Sequence, residues 1–171
     1  MPETLDKDIR LIVRDALLAG WDASQAAGYD PSLTPDDADW LPMSRGWYST
    51  DVRDPSVSIG SNEESPLGGG ATGFTGIQGD GSGMNQDLDG TVLVTVFAEE
   101  DGDYNSDLSA ADVVETVKSE VERAGNTDQT GPGELRYLAP QGSVEADDTD
   151  VTPPVRIRQV TLGYGWQRTP P

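Results

Sequence analysis

Residues 90–98, GTVLVTVFA, decide the fold of this chain. Apolar and β-branched side chains occupy both faces of this segment, with Val92, Val94 and Val96 on one face and Phe97 on the other. A strand of this kind is typical of the centre of a sheet that is covered on both sides. The segment therefore predicts a central strand, with the remaining elements arranged around it.

The segment that follows, after an acidic turn, predicts a helix over residues 109–124. Its apolar residues recur at helical spacing and form one face. Ser109 and Asp112 have the spacing of a capping box at its start, and Gly125 is a suitable stop. The apolar face consists of Val113, Val114, Val117, Val121 and Ala124.

Two further strands are predicted towards the end of the chain. Residues 134–139, ELRYLA, form the first, and a polar loop over 141–154 separates it from the second. The second is residues 155–167, VRIRQVTLGYGWQ, which alternate between two faces. One face carries Val160, Leu162, Tyr164 and Trp166, and the other carries Ile157, Gln159 and Thr161.

Before the central strand, the sequence predicts a helix, an irregular region and a short strand. The helix ends near Gly20, and Thr4 or Asp6 are candidate caps. Residues 55–60, PSVSIG, form the short strand. The fold class predicted from these elements is α+β, with a small, mostly antiparallel sheet flanked by two helices. The apolar face of the first helix consists of Leu5, Ile9, Ile12, Val13, Ala16 and Leu17.

Residues 60–90 are predicted to be a long Gly-rich loop or insertion within a single domain, 1–171. They contain half of the 20 glycines and no Lys or Arg. A structureless segment of this length is unusual in a compact domain and is commonly functional or disordered. It does not contain the phosphate-binding pattern G-x-x-x-x-G-K-[ST].

The composition excludes several classes of protein. There are 31 Asp and Glu against 11 Lys and Arg, giving a net charge of −20, and there is no His and no Cys. The chain therefore has no imidazole base, no Ser–His–Asp triad, no thiolate and no His- or Cys-ligated metal. No run of about 18 apolar residues is present to span a membrane. A charge of this sign repels phosphate backbones, and its even spread is typical of proteins from extreme halophiles.

An acidic segment before the second helix matches the ligand positions of a calcium-binding loop. Oxygen ligands at this spacing suit Ca²⁺. However, Ser106 stands where the sharp turn needs glycine, and Asp112 is too short for the usual bidentate ligand. The alternative is a loop whose carboxylates favour the N-terminus of the helix. The candidate ligands are Asp101, Asp103, Asn105, Asp107 and Asp112, with Ser109 at the ninth position.

The last strand holds a basic cluster, formed by Arg156 and Arg158 together with Arg168. Arg156 and Arg158 lie on one face of the strand, where they are candidates for contact with an acidic neighbouring subunit or with passing DNA. The alternative is an edge strand whose charges block aggregation. Tyr164 and Trp166 are further candidates for an interface, or for the core.

Taken in order, these segments resemble the tail terminator (tail completion, or neck) proteins of long-tailed viruses, here of a haloarchaeal host. The resemblance is one of order and pattern and covers most of the chain. The matching segments are DIRLIVRDALLAGWD (8–22), DPSVSIG (54–60), GTVLVTVFAEED (90–101), SAADVVETVKSEVERAG (109–125) and VRIRQVTLGYGWQ (155–167).

The resemblance implies a structural virion protein, assembled in the host cytoplasm, that forms a homo-oligomeric ring, usually a hexamer, at the head–tail junction. Its implied partners are the tail tube protein and the head connector or stopper protein, and DNA passes through the lumen without specific binding. The family has no catalytic residues and no cofactor to carry over. Two alternatives stay open: another neck, connector, stopper or tail-tube subunit, or a small halophilic enzyme or calcium-binding module.

Overall fold

A computed structural model describes residues 9–26, 28–29, 43–45, 55–66, 86–100, 104, 108–127 and 135–168. The strands form one sheet in the order β1-β2-β3-β5-β4, in which β1 and β2 are parallel and all other neighbours are antiparallel. The predicted α+β class with two helices and a mostly antiparallel sheet is confirmed. The elements are α1 (Ile9–Gly20), β1 (Met43–Arg45), β2 (Ser56–Pro66), β3 (Gln86–Glu99), α2 (Ala110–Ala124), β4 (Leu135–Glu145) and β5 (Val155–Arg168).

The central strand lies where its sequence predicts it. β3 pairs with β2 on one side and with β5 on the other. Val92, Val94 and Val96 are buried beneath the helices, and Phe97 is buried on the opposite face. Burial of each of these side chains stabilises the fold by about 1.5–3 kcal/mol, which explains why the strand is apolar on both faces.

Both helices pack on one face of the sheet. α2 lies against β3 and β5, and α1 packs against α2, β2 and β1. Apart from Leu5, which lies outside the described residues together with the candidate caps Thr4 and Asp6, the apolar faces predicted for the two helices are buried in the same core as Leu162 and Tyr164 of β5. None of the helices in the described ranges is long and apolar enough to cross a membrane.

The start of α2 confirms the predicted capping box. The Ser109 hydroxyl accepts a hydrogen bond from the Asp112 amide, and the Asp112 carboxylate accepts one from the Ser109 amide. These bonds satisfy amides that the first turn of a helix leaves without an intrahelical partner. The amide of Gly125 then donates to Val121 at the end of the helix.

The strands extend into segments that were predicted to be loops. β2 continues to Pro66 and β3 begins at Gln86. Residues 62–66 pair with residues 88–92 of β3, with Pro66 opposite Leu88, and residues 86–87 pair with the end of β5. Likewise β4 continues to Glu145 through part of the predicted loop 141–154. Polar side chains do not oppose this pairing, because the bonds of a ladder are made by the backbone. The remainder of the predicted Gly-rich loop, residues 67–85, lies outside the described residues.

The interpretation of the last strand as an edge strand is wrong. β5 lies between β3 and β4 and is paired along both sides. Its alternation is as predicted, because Val160, Leu162 and Tyr164 are buried beneath the helices. Among the described strands, the one at the edge of the sheet next to β5 is β4.

Candidate interface around Arg156 and Arg158

The two arginines at the start of β5 lie on the helix side of the sheet. Arg156 pairs with Ala98 of β3 and Arg158 pairs with Val96. Residues that lie directly opposite in an antiparallel pair share a face. Both side chains therefore lie on the helix side of the sheet and share one face, as their two-residue spacing predicted.

Arg158 connects three parts of the fold. Its Nε donates to Glu115 Oε1 of α2 at 2.5 Å, and its Nη1 donates to Asp147 Oδ1 at 2.8 Å. The same Nη1 lies 2.9 Å from the carbonyl of Ile157. The side chain is only 8% exposed, so these bonds replace water around a charge that is largely buried.

Asp147, just beyond β4, receives three hydrogen bonds. The Ile157 amide donates to Oδ1 at 3.0 Å and Arg156 Nη1 donates to Oδ2 at 2.9 Å, in addition to the bond from Arg158. Burial raises the pKa of the Asp147 carboxyl, but the Ile157 amide and the two guanidinium groups outweigh it and hold that pKa below its usual value. Asp147 is therefore ionised at neutral pH and fixes both arginines.

The complete cluster has an excess of acid. Arg156 also donates to Glu100 Oε1 at 2.8 Å, and Glu145 lies 3.5 Å from Arg158 Nη2. We call this group the arginine cluster: Arg156, Arg158, Glu100, Glu115, Glu145 and Asp147. Two guanidinium groups face four carboxylates, and the Lys118 ammonium group lies 3.8 Å from Glu115 Oε2, so these groups together have a formal charge of −1. Glu145 and Glu115 remain 73% and 47% exposed, which leaves this end of the sheet negative towards solvent.

The predicted interface residues therefore have different positions in the structure. Arg156 and Arg158 have partners within the chain, and a role for them at an interface stays a prediction. Tyr164 is fully buried, with its ring over Gly90 of β3, and so belongs to the core. The backbone of Trp166 pairs with Leu88 and Leu135, and its side chain lies outside the described part of the structure.

The predicted calcium ligands are not brought together by the described residues. Asp101, Asp103, Asn105 and Asp107 lie outside the described ranges. The Asp112 carboxylate caps α2, accepting from both the amide and the hydroxyl of Ser109. In the parts of the chain that the structure describes, no group of three acidic side chains could hold a metal ion. Calcium binding stays a prediction of the sequence.

An ion pair within α2 positions an arginine that contacts the end of α1. The Glu120 carboxylate of α2 is fully buried and accepts from Arg123 Nε at 2.6 Å. Arg123 Nη2 also donates to the carbonyl of Gly20, which ends α1. A cation near that carbonyl is favourable because the C-terminus of a helix carries a partial negative charge. This contact was not predicted from the sequence, because nothing in the sequence distinguishes Glu120 from the many acidic residues that lie on the surface.

A third contact crosses the helix-free face of the sheet. The Tyr137 hydroxyl of β4 donates to Asp89 Oδ1 of β3, and the ring passes over Gly165 of β5. A Cβ on Gly165 would lie 2.5 Å from Tyr137 Cε1, so the ring can lie there only because the residue is glycine. The signal in the sequence is a glycine inside a strand, which often marks a close approach of another group.

Tyr137 is expected to ionise only near pH 12. Burial and the hydrogen bond to Asp89 raise the pKa of Tyr137 to about 12, from an ordinary value of about 10. Because the folded-state pKa is raised, this contact stabilises the fold below about pH 10 and is lost as the pH rises towards 12. An ultraviolet titration of the wild type and of Tyr137→Phe identifies this tyrosine. In Asp89→Ala its pKa should fall towards 10, and an unchanged value would contradict the assignment.

Comparison with known proteins gives a likeness among solved structures. No model of a protein family matches the sequence, and no curated protein matches it. Among solved structures, the chain is similar to one in a structure described as "Virion of native gene transfer agent (GTA) particle". The TM-score is 0.47 at 14% sequence identity, over 93% of this chain and 94% of that chain.

Proposed function

We propose that this protein is a structural virion protein of a tailed virus of a haloarchaeal host. In this role it forms a ring at the head–tail junction, where it terminates the tail tube and joins it to the head connector. Its partners there are further copies of itself, the tail tube protein and the connector or stopper protein. It has no catalytic step to perform, and DNA passes through the ring without specific recognition.

The observation that supports this proposal most strongly is the order of the elements. The segments whose order resembles the terminator family fold as α1, β2, β3, α2 and β5, around a single core. They meet as one sheet with helices packed against it, which is the fold that the resemblance implies.

The charge of the protein also agrees with this role. The net charge of −20 disfavours binding to a phosphate backbone, and a negative lumen would let DNA slide without holding it. At molar salt the Debye length falls to about 3 Å, so the same acids do not prevent copies of the chain from assembling.

Assembly at high salt tests the proposal directly. We expect light scattering in molar potassium chloride to show a closed ring, and six copies of the 18.2 kDa chain would have a mass of about 109 kDa. The mass should not grow further with protein concentration, because a terminator forms one ring. Stacks of growing mass would identify a tube subunit instead. A strict monomer, even after the tail tube protein is added, would contradict the proposal.

A further inference from the structure

Along the side of β4 that faces away from β5, the described residues pair with the first half of the strand but not with the second half. At Leu138 both the amide and the carbonyl bond to Thr127, on the side away from β5. Pro140 has no amide hydrogen to offer, and the pairing with β5 is irregular between Pro140 and Gly142. Proline and irregular pairing are common means of protecting an edge strand. Residues 141–145, by contrast, are all exposed, and we call them the open edge.

The hydrogen bonds just beyond β4 show which backbone groups of the open edge face outwards. Ala146 and Asp148 both direct their amides to carbonyls of the strand opposite, those of Ile157 and Val155. Alternate residues of an antiparallel strand bond to the same neighbour. The backbone of Val144 therefore also faces β5, while the amides and carbonyls of Ser143 and Glu145 point away from the sheet. Among the described residues, none forms a backbone hydrogen bond with them on that side.

The side chains beside these outward backbone groups are acidic on one face of the sheet and apolar on the other. Glu145 lies opposite Arg158 on the helix side, where it and Glu115 leave the surface negative. Val144 lies opposite Gln159 on the helix-free side and is 63% exposed. Gly142 leaves open space beside it, since a Cβ there would have no atom within 4 Å.

We propose that the open edge binds an extended segment of a different polypeptide, in which basic and apolar side chains alternate. Successive residues of a strand point to opposite faces. A basic residue would therefore lie over Glu145, which is 73% exposed, while its neighbour packs on Val144, and the outward backbone groups of Ser143 and Glu145 would complete the ladder. A second copy of this chain is a poorer occupant, because its own open edge contains no Lys or Arg to place over Glu145. The inference does not depend on the role at the head–tail junction.

Amide hydrogen exchange of the full chain in molar potassium chloride tests this inference. The probe is a synthetic peptide of about nine residues with alternating Arg and Val, and the control peptide alternates Glu and Val. With the basic peptide in excess, we expect the amides of Ser143 and Glu145 to exchange at least ~tenfold more slowly, and the control peptide should have no effect.

Three results would overturn the inference. Protection of these amides in the free monomer would mean that the edge is already covered, and protection that rises with protein concentration would mean that a second copy occupies it. Equal protection by the two peptides would show that charge does not select the partner.

Two pairs of variants locate the binding edge. Ser143→Pro removes an outward amide without removing a bond to β5, and should weaken binding of the basic peptide about tenfold, whereas Ser143→Ala keeps the amide and should bind normally. Val144→Lys should also weaken binding, because it places a like charge at the apolar position, whereas Val151→Lys, at an exposed valine outside the edge, should not. The second pair retains the test if the proline variant fails to fold. Binding that none of these changes alters would place the peptide elsewhere.

Discussion

Replacing Gly90 with valine is expected to destabilise the protein by about 4 kcal/mol or more, which would leave little folded chain. A Cβ at this position would lie 2.5 Å from the carbonyl oxygen of Glu63 and 2.7 Å from the ring of Tyr164. Neither neighbour can move, because Glu63 belongs to the paired strand β2 and Tyr164 is fully buried. The added side chain would therefore separate β3 from the strands on both sides.

Urea unfolding followed by circular dichroism measures this effect at molar salt. The matched control is Gly20→Ala at the end of α1, where a Cβ would have its closest contact at an ordinary 3.6 Å. We expect the control to change the free energy of unfolding by less than about 0.5 kcal/mol. If Gly90→Val unfolded at the same urea concentration as the wild type, Tyr164 would not lie over Gly90.

Replacing Arg158 with alanine is expected to cost about 3 kcal/mol. The substitution removes a guanidinium group that is 8% exposed, and it leaves Asp147 partly buried with one fewer donor. The connection between β5 and Glu115 of α2 is lost at the same time. Removing one partner of a largely buried pair costs more than the pair contributes, because the remaining charge loses its compensation.

Arg156→Ala is the control for this prediction, since Arg156 is 37% exposed and its loss should destabilise the protein much less. Equal losses in the two variants would contradict the description of Arg158 as the buried member of the cluster. The pH dependence gives a second measurement. Because the pKa of Asp147 is lowered in the folded state, its contribution is complete above about pH 4 and is lost as the pH falls through the lowered pKa. In Arg158→Ala this acid-dependent loss should be smaller.

The core of the fold could be predicted because its signals are local. The valines of β3 and α2 recur at strand and helix spacing, and Ser109 and Asp112 form the capping box within four residues of chain. The ends of β2 and β4 were not predictable in this way. Their last residues are polar, and they are strands only because a partner strand, distant in sequence, satisfies their backbones.

The arginine cluster illustrates the same limit at the candidate site. The spacing of Arg156 and Arg158 shows that they share a face, but not that Asp147 and Glu115 lie between them and solvent. In a chain with 31 acids, any arginine has many possible partners, and the topology selects among them. Tyr137 and Asp89 are likewise 48 residues apart in the sequence, and their contact requires that the ring pass over Gly165 on the intervening strand.

The position of β5 between β3 and β4 has a consequence for the order of folding. During synthesis, β4 leaves the ribosome before the strand that will separate it from β3, so the sheet has a gap that only β5 can fill. The longest ladder, between β3 and β5, joins Gly90 to Tyr164 across more than seventy residues. Closing so large a loop is entropically costly and slow. Until residue 168 has emerged, the β2–β3 pair and β4 each present an unpaired edge, and they are then open to capture by chaperones or by other nascent chains.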